Sequence, residues 1–542
     1  MPSNKIHNSN VEPPKKIPDF PTMLAEVELN PAGLSGKSKI KDSGGKDRRF
    51  SNVSSLIKQK LRGTREEGDF TLGCIKLLHT RTRFIILVLV LLCLASIWSN
   101  ILAFNFALIC MGTPEHSENG TDSTAILFTP NQRTALTSAV AASALVANFV
   151  VVSLVNQFGI RTVFTILGFI SAIATCLMPL AVQAGFYYML AARLLQGIAF
   201  AANFPVIGAF TSKWTYYKQN GLFVSVLVAY VQLSPAISMS ASGSICSSFL
   251  GWPGVFYFHG IFSTIIFTTF FLFYRNSPGK HPYVGPIELR KIAVGKSECS
   301  KEELKFIPYG QILKTASVWA VWIAAIGNFT AVNMMFLFTP NYLNKVLHFQ
   351  IQHTGFSASL PPLLQFLIKL LAGFTSDKIR FLSETNKLRL YNSVAFVGSA
   401  GFLTLLAFFP TEYTTICLML LGLSAGILGF TTGGFFKAGP LVSKHFSHFV
   451  TGNVSLGITF TMLLVPFMVT GLAPNNTAEE WRWVFIWTAA VLTLTNLLFV
   501  LMCSAEPAPW TTDEFSRNAS RNRIHATQPT RIKEFAPEVI MG

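Results

Sequence analysis

The amino-acid sequence predicts an all-α membrane protein with twelve transmembrane helices in two six-helix halves. Of its 542 residues, 51% are hydrophobic and only 13% are charged, whereas about 25% of residues are charged in soluble domains. The mean hydropathy is +0.45. Charge is concentrated in a few segments, and the apolar runs between them are about 20 residues long, enough to cross a bilayer. A central polar stretch, 275–315, separates six runs from the other six.

The first apolar run, 84–111, contains no charged residue. It lies too far from the N-terminus, and is too long, to be a secretory signal peptide. In hydrocarbon only a helix or a closed β-barrel satisfies its own backbone hydrogen bonds. Barrel strands are alternating segments of about ten residues, so runs of about 20 residues indicate helices.

The other eleven predicted spans follow in order along the chain. The fifth is interrupted by Pro235, and the tenth is rich in glycine. The spans are 135–155, 163–182, 186–208, 222–249, 255–274, 318–338, 355–374, 390–409, 415–435, 449–472 and 484–503.

The spans and the polar segments around them divide the chain into five parts. Residues 1–83 are rich in Pro, Ser, Gly and Lys and predict a disordered, basic cytoplasmic tail. Two six-helix halves follow at 84–274 and 317–503, joined by a cytoplasmic linker at 275–316. Residues 504–542 are a second cytoplasmic tail.

The distribution of basic residues predicts the topology. Lys and Arg are dense before residue 84, in the central polar stretch and in the loop after the eighth span, whereas the opposite loops contain almost none. Basic segments stay cytoplasmic. We therefore expect an integral multi-pass protein of the plasma membrane or an intracellular vesicle membrane, with both termini cytoplasmic. This asymmetry accounts for the net charge of +17 without a nucleic-acid partner.

Two N-glycosylation sequons, at Asn119 and Asn475, lie in the first and last non-cytoplasmic loops. Their position agrees with the charge argument, and it predicts that the protein is glycosylated. Asn119 is the expected acceptor in a eukaryotic membrane.

The chain carries no pattern typical of a cofactor or a metal site. Its eight cysteines are scattered, with no disulfide framework and no CxxC spacing. Walker, HExxH and kinase signatures are absent from the sequence. We therefore predict no cofactor, no metal and no enzymatic activity, and the sequence does not favour an ATP-driven pump.

A short motif follows the eighth span, formed by Gly373, Asp377 and Lys378. It resembles the G-x-x-x-D-[RK] loop signature of the major facilitator superfamily and so implies the major facilitator fold. In physical terms, the glycine allows helices to approach closely, the aspartate caps a helix N-terminus, and the base holds the cytoplasmic gate.

The fourth span carries a more specific resemblance. Its residues 193–197, then Pro205 and 212–214, are similar to the fourth helix of the anion/cation symporter family, the sialin, vesicular glutamate and sodium-phosphate transporter group. Motifs from 84 to 510 follow in the family's order, and departures within them mark a divergent, invertebrate-like member. The further motifs are 251–253 with 256–257, 277–278 with 281–282 and 288, 340 with 342, 480–482 with 485, and 504–506 before 510.

This resemblance implies a secondary transporter of small organic or inorganic anions that works by alternating access in the lipid bilayer. Arg193 is expected to bind the substrate's carboxylate or phosphate with its two-pronged guanidinium. Lys369, inside the eighth span, either lines the substrate cavity or snorkels to the cytoplasmic surface. The alternative for Arg193 is a structural bond to a neighbouring carbonyl.

The coupling ion stays open, with sodium as one candidate. Family members that move protons carry a glutamate two turns after the arginine, where this chain has Phe200. His259 is a possible titrating group, but a packing histidine is the more common reading. A second function from another class is a non-transporting sensor or scaffold that keeps the transporter fold. A channel is the weakest option, because no pore-lining ring is visible.

Overall fold

The computed structural model describes residues 72–111, 128–216, 219–293, 308–379 and 381–511, and all regular structure within these ranges is helical. Eleven described helices are long and apolar enough to cross a membrane, or twelve when one bent pair counts as a single span. The predicted all-α membrane fold is thereby confirmed. Large apolar side chains such as Phe149 and Trp483 are exposed on the bundle surface, as expected for a surface that faces lipid.

Nine of the described helices precede the central polar stretch. They are α1 (Leu72–Met111), α2 (Pro130–Phe158), α3 (Ile160–Cys176), α4 (Met178–Ala184), α5 (Phe186–Phe200), α6 (Asn203–Trp214), α7 (Asn220–Val228), α8 (Tyr230–Cys246) and α9 (Gly251–Phe273).

The remaining helices follow in the second part of the chain. They are α10 (Pro286–Ala293), α11 (Tyr309–Lys314), α12 (Ala316–Lys345), α13 (Ile351–Lys378), α14 (Glu384–Phe408), α15 (Thr414–Ile427), α16 (Phe435–Ser443), α17 (Ser447–Leu472) and α18 (Ala478–Met502). Short 3-10 turns occupy Pro278–Lys280, Leu428–Thr432, Lys444–Phe446 and Pro509–Thr511.

Several spans are broken helices. The third span bends by 51° between α3 and α4. Pro179 lies in the first turn of α4, has no backbone N–H to donate, and its ring clashes with a continuous helix through the preceding turn. The fifth span breaks at Ala229, between α7 and α8. The prediction that Pro235 interrupts it is wrong, because Pro235 lies inside α8. The glycine-rich tenth span passes through a 3-10 turn and resumes as a helix at Phe435.

The helices pair in a pattern that repeats after six spans. In the first part of the chain α1 packs on α8 and α9, α2 on α5, and α3 on α9. In the second part α12 packs on α17 and α18, α13 on α15, and α14 on α18. The corresponding helices of the two parts therefore have corresponding neighbours.

The first six spans meet the last six along α8 with α13 and along α2 with α17. Between α8 and α13 the backbones touch at two glycines. A Cβ added to Gly355 would lie 2.7 Å from the Cα of Gly243 and 2.7 Å from the carbonyl oxygen of Met239. Any larger side chain at either glycine would push these helices apart.

The bundle has two ends, which we name by the segments found there. The loop face is the end where α1 finishes at Met111 and α2 begins at Pro130. The tail face is the opposite end, where Glu288 of α10 accepts a hydrogen bond from the backbone N–H of Arg83 at 3.1 Å. Sequence analysis predicts that the tail face is cytoplasmic.

The segments predicted as tails and linker are partly ordered helix. α1 begins at Leu72 rather than at residue 84 and is kinked at Arg81. The central polar stretch contains α10 and α11. Trp510 is buried and donates its indole N–H to Thr315 at 2.9 Å, so the second tail starts with a packed segment. Residues 1–71 and 512–542 lie outside the described residues.

Candidate functional site

A small cavity of about 10 Å³, roughly the room for one water molecule, lies between the first six spans and the last six, and we call it the central cavity. Its walls come from α8 of the first six spans and from α12, α13 and the tenth span of the last six. In transporters built from two repeats, the substrate site lies at the interface between the repeats. The lining residues are Val228, Val231, Gln232, Asn328, Phe329, Gln365, Lys369, Leu428, Gly429, Thr431 and Phe436.

Lys369 is the charged residue of this central cavity. Its ammonium lies 5.5 Å from the ring centroid of Phe436, a cation–π contact. None of the ion pairs or side-chain hydrogen bonds among the described residues involves Lys369. A lysine inside a transmembrane helix is costly, so an ammonium without a carboxylate partner favours an anion in its surroundings.

Three amide side chains surround the same cavity. The carbonyl oxygens of Gln232, Asn328 and Gln365 are buried, and none has a hydrogen-bond partner in the described part of the chain. Buried polar atoms are normally paired. An amide also turns its NH₂ group toward an acceptor by rotating through 180°. These groups therefore offer adaptable hydrogen bonds to a polar ligand.

Gly429 sets the shape of one wall. A Cβ added there would lie 2.7 Å from the carbonyl oxygen of Gln365 and 2.7 Å from the backbone nitrogen of Lys369. The tenth span thus packs directly on the α13 backbone at the residues that face the cavity. The close approach predicted for Gly373 is not found, since a Cβ there would meet only Thr432, at 4.0 Å.

Arg193 of α5 lies elsewhere, fully buried among the first six spans. Its Nε donates to the carbonyl oxygen of Leu136 at 3.0 Å. Its Nη1 donates to the carbonyl oxygen of Ile101 at 3.2 Å and to Gln196 Oε1 at 2.7 Å. The guanidinium also stacks 4.4 Å from the ring centroid of Phe104.

These bonds tie α5 to α1 and α2 and leave one nitrogen, Nη2, without a partner among the described residues. Arg193 does not line the central cavity. The substrate-binding role predicted for Arg193 therefore stays a prediction. The bonds to two carbonyl oxygens correspond to the alternative stated above for Arg193, a structural bond to a neighbouring carbonyl.

Phe200 and His259 are the two residues that the sequence analysis considered for proton coupling, Phe200 in place of an acid and His259 as a possible titrating group. Phe200 is buried, with its ring 5.2 Å from that of Trp98, so apolar packing fills the position of the family's acid. His259 is buried, with Nδ1 2.8 Å from the carbonyl oxygen of Val255 and Nε2 2.9 Å from Ser238 Oγ. Both ring nitrogens are satisfied, which is typical of a neutral packing histidine.

The predicted gate residues lie at the tail-face end of α13. Lys378 is exposed and stacks on Phe374, with its ammonium 4.1 Å from the ring centroid. Lys437 approaches the same region, 3.3 Å from Ser376 Oγ and 4.0 Å from Glu384 Oε2. The side chain of Asp377 lies outside the described residues, so its capping role stays a prediction.

The loop face carries the sequon and an unpredicted disulfide. Asn475 is exposed and donates its amide to Glu480 Oε1 at 2.9 Å, while Asn119 lies outside the described residues. Cys110 and Cys246 are disulfide-bonded, with their Cα atoms 6.4 Å apart. The expectation that the chain has no disulfide is wrong, because α1 and α8 bring together two cysteines that are 136 residues apart.

Sequence reasoning missed Gln232 and Gln365. Gln365 lies one helical turn before Lys369, so both project from the same face of α13, and this spacing was a usable signal. Gln232 comes from another part of the chain, and its sequence carries no sign of which helix it faces. Of the asparagines in the spans, Asn328 lines the cavity, whereas Asn333 bonds to α17 through Ile458 and Thr461.

Comparison with known proteins agrees with this architecture. The sequence profile of the Major Facilitator Superfamily matches residues 89–440. Sialin of Homo sapiens is 29% identical over 357 residues, covering 64% of this chain and 70% of sialin. Sodium-dependent phosphate transport protein 1 of Homo sapiens is 26% identical over 363 residues, covering 65% of this chain and 76% of that protein.

A solved structure supports the fold alone. The crystal structure of a bacterial homolog to the human lysosomal transporter Spinster, in an inward-facing and unoccupied conformation, superposes with a TM-score of 0.59. It covers 78% of this chain and 97% of that chain, at 14% sequence identity.

Proposed function

The chain belongs to the Major Facilitator Superfamily, and from that premise we propose that it is a secondary transporter that moves a small anion across the membrane by alternating access. Its relatives are transporters, and the name of one of them specifies phosphate, an anion. The proposal for this chain rests on its own central cavity. The single observation that carries it is the unpaired ammonium of Lys369 in that cavity.

The substrate we propose is a small organic or inorganic anion with a carboxylate or phosphate group. Lys369 supplies the opposite charge, and charge-assisted hydrogen bonds are about twice as strong as neutral ones. Gln232, Asn328 and Gln365 supply donors once their amides turn toward the ligand. These groups come from α8, α12 and α13, so the bound anion contacts both sets of six spans.

That arrangement suits alternating access. In this mechanism the two halves rock around a substrate site at their interface. The pairs α8 with α13 and α2 with α17 form the contacts that would open and close. The repeated pairing of helices after six spans supports two equivalent halves, and the gate motif after α13 would hold the tail face.

Coupling to a buried acid is not part of the proposal. Within the described spans, carboxylates occur only near helix ends, at Glu384, Glu479 and Glu480. A membrane-buried proton carrier normally needs a carboxylate or a histidine, and His259 is already bonded at both nitrogens. We propose sodium, membrane potential or anion exchange as the drive, with sodium supported by the name of one relative.

We also propose that the loop face is exoplasmic or lumenal and that both termini are cytoplasmic. Disulfides form in oxidising compartments, and Cys110–Cys246 lies at the loop face together with the exposed sequon at Asn475. The basic tail face then points to the cytoplasm, in agreement with the charge asymmetry.

Uptake into proteoliposomes tests the function. Purified full-length protein is reconstituted, and uptake of a panel of labelled carboxylates and phosphate is measured with sodium, proton and voltage gradients set separately. We expect saturable uptake of at least one anion, and no uptake of neutral sugars. Specific anion binding without any uptake, under every gradient, would favour the sensor or scaffold and overturn the transporter.

A further inference from the structure

A second cavity opens at the loop face, away from Lys369. Its volume is about 80 Å³. Its walls come from α1 and α2 of the first six spans and from α12 and α17 of the last six. Polar residues that line it include Asn105, Arg133, Thr137, Asn341 and Lys345.

This loop-face cavity has two cations and no acidic side chain among its lining residues. Arg133 and Lys345 are both half-buried, and neither takes part in an ion pair or a side-chain hydrogen bond in the described ranges. The Nε atom of Arg133 is buried without a partner, and so is the amide nitrogen of Asn105. All three of these groups are hydrogen-bond donors.

Two unpaired cations beside one cavity repel each other unless a counter-ion lies between them. The guanidinium and the ammonium both donate readily to carboxylate or phosphate oxygens. Buried donors without acceptors are rare in folded proteins. An oxyanion supplies acceptors to all of these groups at once, which neither water nor a neutral solute does with comparable strength.

We propose that the loop-face cavity is a second anion site, distinct from the Lys369 cavity, which takes one small carboxylate or phosphate between Arg133 and Lys345. Since Arg133 is on α2 and Lys345 is on α12, the bound oxyanion links the two sets of six spans. Next to it, Thr134 and Thr470 already join α2 to α17 through hydroxyl groups 2.6 Å apart. The anion therefore strengthens the contact between the halves at the loop face.

Equilibrium binding to purified full-length protein in detergent tests the site. The probes are labelled inorganic phosphate and labelled acetate, so that the phosphate and carboxylate arms are separate. We expect two sites per chain with at least one probe. Arg133→Gln with Lys345→Gln should remove one site and leave the other, whereas Lys369→Ala should remove the opposite one. Each lost charge-assisted pair corresponds to roughly tenfold or more in affinity.

Ionic strength distinguishes the two sites independently. Two cations line the loop-face cavity, so its affinity should fall steeply when a non-binding salt is raised, because salt screens the attraction of both charges. The central cavity has one cation in its lining and should respond less. Thermal unfolding without added anion should be unchanged in the Arg133→Gln, Lys345→Gln protein, which shows that lost binding is not lost folding.

Glu115, Glu118 and Asp122 belong to the segment between α1 and α2 that lies outside the described residues, and replacing them tests whether carboxylates of the chain itself compete for the site. A variant with Glu115→Gln, Glu118→Gln and Asp122→Asn should bind the probes as tightly as the unchanged protein, or more tightly. Two sites that persist in the Arg133→Gln, Lys345→Gln protein would overturn the proposal. So would a second site that appears only in the carboxylate variant. Neither result depends on whether the protein transports.

Discussion

Arg193 of the first six spans and Lys369 of the last six both lie within membrane-spanning helices, and the two cations have opposite surroundings. Arg193, in the first set, directs its guanidinium to two carbonyl oxygens and to Gln196, and it lines neither of the two cavities described above. Lys369, in the second set, makes no hydrogen bond among the described residues and faces a cavity with unpaired amide oxygens.

This difference shows that the position of a cation inside a span does not by itself indicate whether the cation binds a ligand or stabilises the fold. Removing a cation from water is unfavourable, and the protein offsets that term either with its own acceptors or with a ligand. Arg193 has its acceptors within the fold, so its geometry supports helix packing. Lys369 lacks them, so its geometry supports ligand binding. The comparison gives four predictions, ordered from the largest expected effect to the smallest.

Arg193→Ala should destabilise the protein most. It removes the link between α5, α1 and α2, leaves Gln196 Oε1 with no donor and creates a cavity, together worth roughly 3–5 kcal/mol of folding stability. The measurement is surface expression and thermal unfolding in detergent. Arg193→Lys, which keeps the charge and one donor position, should lose less.

A loss of uptake without a loss of stability would instead support the substrate-binding role that the family resemblance predicts for Arg193. If Arg193→Ala unfolds at the same temperature as the unchanged protein and still loses uptake, the contrast between the two cations fails. Arg193 would then act on the substrate in another conformation of the transport cycle.

Lys369→Ala should abolish measurable uptake while changing stability little, because among the described residues the ammonium has no ion-pair or hydrogen-bond partner to lose and gives up only its contact with Phe436. The loss of a charge-assisted hydrogen bond, about 2–3 kcal/mol, weakens anion binding roughly 30- to 150-fold. Lys369→Arg keeps the charge and should retain part of the activity with a raised KM. The readouts are initial uptake rates in proteoliposomes and the unfolding temperature.

A surface lysine provides the matched control. Lys291 is exposed on α10, so Lys291→Ala removes the same charge without touching the cavity and should leave uptake unchanged. Normal transport by Lys369→Ala with unaltered affinity would exclude the central cavity as the anion site proposed above.

Gln365→Leu should have an intermediate effect. The amide contributes one neutral hydrogen bond to the bound anion, about 1 kcal/mol, so the KM should rise about fivefold with little change in the maximal rate. Gln157→Leu is the matched control, since Gln157 is exposed at the end of α2. An equal change in both variants would show that the effect is not specific to the cavity.

His259→Gln should have the smallest effect of the four. Because both ring nitrogens are bonded to Ser238 and Val255, the histidine is expected to stay neutral throughout transport. Uptake at fixed voltage should therefore vary little when the outside pH is changed from about 6 to 8. A steep dependence on an inward proton gradient, removed by His259→Gln, would show that His259 is the coupling group.

From the sequence, Lys369 could be predicted as a candidate because a lysine is rare in an apolar span. Gln365 was missed, although it lies one helical turn before Lys369 and so projects from the same helix face. The position of Gly429 against the α13 backbone was not predictable, because close approach depends on how two helices cross. The same limit explains why Gly373 was assigned a contact that Gly429 makes instead.

The fold class, the number of spans, the family and the lack of acids inside the spans were determined by the sequence alone. Each follows from local properties, namely the length of apolar runs, the placement of charge and short motifs. The tertiary structure decided that Lys369 and not Arg193 lacks a hydrogen-bond partner among the described residues, which amides line its cavity, and that Cys110 reaches Cys246. Those facts depend on the rotation and crossing of distant helices, and no hydrophobic pattern within one helix specifies the partner that it will face.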